Sequence, residues 1–216
     1  MNELSQSAVA LAALQQKLDS LSADVKQREF DKLSKNTQNA LDDLWAELFS
    51  NTGRKNIPQK DGRWSGEPGD SIFYPSPMVI PPDKQYSNMQ NKTWSQILKE
   101  NHIQGIAYRD GRADFSTVQR DFVTFDWQQA LGRAGIERLV QTSDRQYLHE
   151  AAFALLAKKW RLSVLETKAI KERENLVWHE EPDCTTLRLV SREVHDNLKH
   201  FGGIAMLKIL INNELA

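Results

Sequence analysis

The sequence predicts an α+β chain, mostly helical, in which the strands are few and short. Three observations carry this reading. No Pro or Gly stands before Gly53, and Leu11, Leu14, Leu18, Leu21 and Val25 repeat there at heptad-like spacing. Apolar residues recur at helical period over 128–139, 143–160 and 163–173. Short apolar runs at 103–108, 122–125 and 187–190 lie between turn residues, which is how strands read.

Taken in order, residues 3–49 read as an N-terminal helical hairpin. A second apolar set (Phe30, Leu33, Leu41, Leu44, Trp45, Leu48) follows the first stripe, and a stripe of this kind packs in a hairpin or against a partner. Over 51–83 the texture changes. Pro58, Gly62, Gly66, Pro68, Gly69, Pro75, Pro77, Pro81 and Pro82 exclude long regular structure. That stretch reads as a linker with short edge strands at Ile72-Phe73-Tyr74 and Met78-Val79-Ile80. Thr93 caps a short helix to Glu100. Asp110-Gly111 builds the turn between the strands at 103–108 and 122–125. Helices follow at 128–139, at 143–160 (capped by Ser143 or Asp144) and at 163–173 (capped by Ser163). The expected organisation is thus 1–50 helical, 51–83 linker, and 84–216 the functional domain.

Composition narrows the classes. The single Cys184 excludes an internal disulfide framework and suits a reducing compartment. No apolar run is long enough to span a bilayer. Met1-Asn2-Glu3-Leu4 opens no signal peptide. A chain of this kind crosses a membrane as cargo, or as the C-terminal piece of something larger. The net charge of −1 gives no global basic footprint. Positive charge is local: Lys158, Lys159, Arg161, Lys168, Lys171 and Arg173 precede the histidine-rich end, interleaved with Glu166, Glu172 and Glu174. The absence of a His-Glu-x-x-His helix excludes a zincin protease, and neither a Gly-rich phosphate loop nor a Gly-x-Ser-x-Gly elbow occurs.

The chemistry concentrates near the C-terminus, where His179, His195 and His200 stand in the run from Val177 to Gly203. Histidine exchanges protons near neutral pH and is the commonest metal ligand. Leu187, Leu189 and Val190 read as a strand after His179, and Ser191 caps a helix that carries His195 and His200. The order His, hairpin, helix with His is the layout of a ββα-metal finger, spanning 175–205.

These residues carry a resemblance. Trp178-His179-Glu180, Leu187-Arg188-Leu189-Val190, His195 and His200-Phe201-Gly202-Gly203 are similar to the HNH/endonuclease VII superfamily, in its Trp-His-His or Trp-His-Glu polymorphic-toxin branch. Tyr86-Ser87-Asn88, Thr93-Trp94-Ser95-Gln96-Ile97-Leu98 and Gly105 to Ser116 resemble it more loosely. The resemblance covers roughly Gln85 to the C-terminus.

It implies a metal-dependent endonuclease, DNA its expected substrate ahead of RNA, acting as an interbacterial toxin delivered into a target cell's cytoplasm. A cognate immunity protein is the implied partner, and the N-terminal helices would serve delivery. His179 takes the place of the general base; His195 and His200 take the places of metal ligands. Their spacing of five exceeds one helical turn, so either the helix ends or kinks near Leu198, or His200 lies beyond it on the Phe201-Gly202-Gly203 turn. Glu180 stands where the pattern has a second His. A carboxylate from Glu180 or Asp183 would complete the shell of one divalent ion, Mg, Mn, Zn or Ni. Asp183 equally suits a turn with Pro182. Glu181 is expected to face solvent. His102 and His149 read as structural, and Trp64, Trp94, Trp127 and Trp160 as core. Two alternatives stay open: a toxin-like module that binds without cleaving, and a metal-dependent phosphodiesterase or RNase.

Overall fold

The computed structural model describes residues 56–82 and 87–214. The helical hairpin expected at 3–49 lies outside the described residues. The chain divides into a compact unit of Thr52–Lys208 and a second one of Met1–Asn51 with Ile209–Ala216. The described residues form six α-helices and two antiparallel sheets, an α+β arrangement.

The first sheet runs β1 (Gly62–Trp64), β2 (Ile72–Pro75), β3 (Ile106–Arg109), β4 (Arg112–Ala113) in spatial order. Two of its four strands therefore come from the stretch read as a linker, which also buries Ile57 and Phe73. Met78-Val79-Ile80 forms no strand. The carbonyls of Pro77 and Val79 instead accept hydrogen bonds from the amides of Ser95 and Trp94, each at 2.9 Å. They satisfy donors that the first turn of α1 (Trp94–Glu100) would otherwise leave unpaired. Thr93 and Gln96 close the capping box of that helix.

The Asp110-Gly111 turn joins different strands from those expected. Both residues have positive φ, 49° and 71°, the geometry of a two-residue hairpin that returns at once. The partner of Ile106–Arg109 is accordingly Arg112–Ala113. The strand expected at 122–125 is β5 (Gln119–Thr124), and it belongs to the second sheet.

That sheet has the order β5, β7 (Thr186–Ser191), β6 (Leu176–Glu180), which leaves β6 at an edge. Leu187, Leu189 and Val190 of the central strand are wholly buried. Between β5 and β6 come α2 (Trp127–Thr142), α3 (Gln146–Trp160) and α4 (Val164–Arg173). Asp126 caps α2, and Gly132, with φ 65° and ψ 171°, breaks its regularity as only glycine does without strain. α3 buries Leu148, Ala152, Phe153, Leu156 and Ala157, one face of a helix. Neither expected residue occupies its N-cap. Ser143 sits at the left-handed end of α2, and Arg145 is the cap. Asp144 accepts instead from the amide of Gln146. Ser163 and Glu166 form the expected capping box of α4.

After the β6–β7 hairpin comes α5 (Arg192–His195), then a loop, then α6 (Gly203–Glu214). α5 ends at His195, so His200 lies beyond the helix, and Ser191 makes no side-chain capping bond. Gly203 brings the start of α6 against the hairpin: a Cβ there would lie 2.4 Å from the Glu181 carbonyl. Among the described residues no helix is long and apolar enough to cross a membrane.

Candidate metal centre

His179 lies on β6 opposite Arg188 of β7. Side chains alternate along a strand, so His179 shares a face with Val177, while Trp178 and Glu180 take the other. On the His179 face, α5 supplies His195 and the following loop supplies His200. One nitrogen from each of the three rings falls within 4.8 Å of the others. Phe115, fully buried, floors the cluster, its ring centroid 4.8, 5.3 and 5.0 Å from those of His179, His195 and His200. Ser116 donates its amide to Asp114 at 2.9 Å, a turn that sets Phe115 in place. The buried Tyr108 hydroxyl donates to the Lys199 carbonyl at 2.7 Å and pins the loop that carries His200.

The hydrogen bonds decide which nitrogen each ring offers. His195 Nδ1 stands 2.7 Å from Asp196 Oδ1, and His200 Nδ1 stands 3.0 Å from the Leu198 carbonyl. Both partners only accept, so both Nδ1 atoms carry the proton and both Nε2 atoms keep a lone pair. His179 Nδ1 approaches His195 Nε2 at 3.2 Å. His179 Nε2 is buried without a hydrogen-bond partner, its nearest carboxylate being Glu181 at 3.8 Å. Burial, then the charges of His200 and His195, hold His179 well below the usual imidazole range. Burial and His195 bring His200 down to about 3. His195 and His200 thus have their far nitrogens tied to a carboxylate and a carbonyl, the outer arrangement usual for imidazoles that hold a divalent cation.

The carboxylates are disposed differently from the expected shell. Glu180, on the opposite face of β6, is not brought into the cluster. Its Oε1 is 2.9 Å from His149 Nε2 and 3.1 Å from Arg145 Nε. Burial pushes the Glu180 acid up, but the His149 hydrogen bond and the charges of His149 and Arg145 outweigh it and hold the group below its usual range. Asp183 is also apart: its Oδ1 accepts from the amides of Thr185 and Thr186, both at 2.8 Å, which makes it the turn residue of the hairpin. Glu181, expected in solvent, is half-buried and paired with Arg188. Burial raises its acid, more than Arg188 draws it down.

Sequence reasoning read His149 as structural, and the structure sets it against Glu180. The signal was present: it stands beside Leu148 and four residues before Phe153, at the edge of the buried face of α3. What it meets there could not be read without knowing that α3 lies on β6. Four helix residues advance ~6 Å and two strand residues ~6.6 Å. Phe153 against Trp178, with ring centroids 5.4 Å apart, therefore places His149 against Glu180. Arg145, His149, Glu180, His195, Asp196 and His200 line one cavity of about 420 Å³. The basic stretch before the hairpin is largely neutralised, with Lys159 on Asp121, Lys168 on Glu150, Lys171 on Glu172 and Arg173 on Glu174.

Residues 105–202 match the family model of the DNase/tRNase domain of colicin-like bacteriocins. The matched span runs from the strand before Phe115 through His200 and contains every residue of the histidine cluster. No curated protein and no solved structure matches the chain. The match supports a nuclease domain of a colicin-like toxin, a hydrolase whose substrate is nucleic acid.

Proposed function

We propose that this chain is a metal-dependent endonuclease of the HNH/endonuclease VII superfamily, with β6, β7 and α5 as its ββα-metal motif. The observation that carries the reading is the convergence of three histidine nitrogens within 4.8 Å, inside the span that matches the DNase/tRNase family model. His179, His195 and His200 would hold one divalent ion, and their imidazole set suits Zn or Ni better than Mg. When bound, such an ion supplies Lewis-acid stabilisation of the scissile phosphate and of the departing oxygen.

His179 thereby joins the ligands and leaves the role of base. It is 1 % exposed, and its Nδ1 already faces His195. A residue that removes a proton from the attacking water has to reach that water. Asp196 and the Leu198 carbonyl orient the other two rings, Phe115 keeps their floor dry, and Tyr108 holds the loop.

DNA is the favoured substrate, and the chain acts as an effector delivered into a competitor's cytoplasm, with a cognate immunity protein as its inhibitor. Residues 1–50 would form a separable delivery or partner-binding element ahead of the nuclease body. The test is direct. The full-length chain, stripped with EDTA, is given Zn²⁺, Ni²⁺, Mn²⁺ or Mg²⁺ in turn and incubated with supercoiled plasmid and, separately, with tRNA. Metal-restored nicking of plasmid is the expected result. Cleavage of tRNA alone would move the substrate to RNA, and tight Zn²⁺ binding without cleavage of either would leave a binding module.

A further inference from the structure

We propose that His149, on α3 and outside the segment that carries the three clustered histidines, is the general base of the hydrolysis, with Glu180 as its positioning residue. The inference rests on the nuclease reading above. Three observations point to it. His149 Nε2 lies 2.9 Å from Glu180 Oε1. A carboxylate only accepts, so Nε2 carries the proton and Nδ1 keeps its lone pair. Among the described residues Nδ1 makes no hydrogen bond. His149 also lines the same cavity as His195 and His200, whereas His179 is closed off from it.

Arg145 sits on the same carboxylate at 3.1 Å. Held between Arg145 and His149, the Glu180 side chain is fixed in place and in turn fixes the orientation of the His149 ring. A base held by a carboxylate through its other ring nitrogen is the usual way of orienting an imidazole for proton abstraction. The structure accordingly divides two jobs between the two faces of β6: His179 for the metal, Glu180 for the base.

The step balances as follows. Nδ1 of His149 takes one proton from water. The hydroxide oxygen bonds to phosphorus, and the bond from phosphorus to the leaving oxygen breaks. The leaving oxygen takes a proton from solvent water, and the hydroxide so produced is neutralised by the proton that His149 releases.

The experiment uses the full chain with Zn²⁺ as probe ion and supercoiled plasmid as probe substrate. His149→Gln keeps an amide donor for Glu180 but offers no base. It should bind Zn²⁺ within about twofold of wild type by calorimetry and nick plasmid roughly 10²–10⁴-fold more slowly. ¹⁵N spectra of the imidazoles should show wild-type His149 as the Nε2–H tautomer, and Glu180→Gln should erase that preference while sparing Zn²⁺ binding. His149→Gln nicking within threefold of wild type overturns the assignment, as does an Nδ1–H tautomer or loss of Zn²⁺ binding in that variant. A wild-type chain that binds Zn²⁺ and cleaves no nucleic acid overturns the nuclease reading itself, and this inference with it.

Discussion

Phe115 is the residue on which the histidine cluster rests, and replacing it separates the cluster's packing from its chemistry. Its ring is completely buried and meets all three histidine rings at centroid distances of 4.8 to 5.3 Å. Phe115→Ala removes that floor. A buried Phe→Ala change costs about 3–5 kcal/mol, because the lost contacts are joined by a cavity the surroundings fill only in part. With a urea slope of about 2 kcal/mol/M, the unfolding midpoint of the metal-free protein should fall by roughly 1.5–2.5 M. The rings, no longer braced, should also bind Zn²⁺ more weakly, by about the 10–100-fold seen when the groups orienting a ligand are lost. The two effects are read separately. Urea melts with EDTA report packing, and calorimetry reports the ion. In wild type, Zn²⁺ at a hundred times its Kd should add about 2.7 kcal/mol of stability, and the same concentration should add less to the variant. A metal-free Phe115→Ala protein within about 1 kcal/mol of wild type, or one with unchanged Zn²⁺ affinity, would refute the claim that this ring organises the site.

Three further outcomes are expected. Asp196→Asn should leave the fold intact and weaken Zn²⁺ binding about 10–100-fold by loosening His195, and an unaltered isotherm would remove Asp196 from the site. His179, buried, and His200, half-buried, are held neutral in the fold, so the unfolded chain binds more protons than the folded one between the ordinary imidazole pKa, ~6.5, and the depressed folded values. Their contribution to metal-free stability is therefore complete above pH ~6.5 and lost below it, at up to about 1.4 kcal/mol per pH unit for each. Denaturation at pH 7.5, 5.5 and 4.5 measures this, and a flat profile would contradict the neutral burial. Removing residues 1–51 should spare Zn²⁺ binding and plasmid nicking, since the unit that begins at Thr52 contains the whole cluster. An insoluble or inactive fragment would show that the N-terminal residues are integral to the nuclease.

Much of this protein was legible in the chain by itself. Local chemistry determined the capping boxes at Thr93 and Ser163 and the buried strand through Leu187, Leu189 and Val190. These features are set by hydrogen bonds and periodicities within a few residues of each other, and such signals survive in one dimension. That His179, His195 and His200 belong together was also readable, because their order along a hairpin and its following turn is itself a local pattern.

What each side chain around them meets was decided only in three dimensions. His179 and Glu180 are neighbours in sequence and, by the alternation of a strand, strangers in space. One faces Phe115 and two other imidazoles; the other meets a helix that left the sheet thirty-odd residues earlier and returned across it. Asp183, a plausible ligand by type, is used up by the amides of its own turn. The stretch at 56–82 looked like a linker because Pro and Gly punctuate it, yet Phe73 and Ile57 are core. Its second strand finds its outer partner, Ile106–Arg109, some thirty residues further on. Periodicity reports which face of an element is apolar. It does not report what that face will touch, and in this protein the touching surfaces set His179 among two other imidazoles and Glu180 against His149.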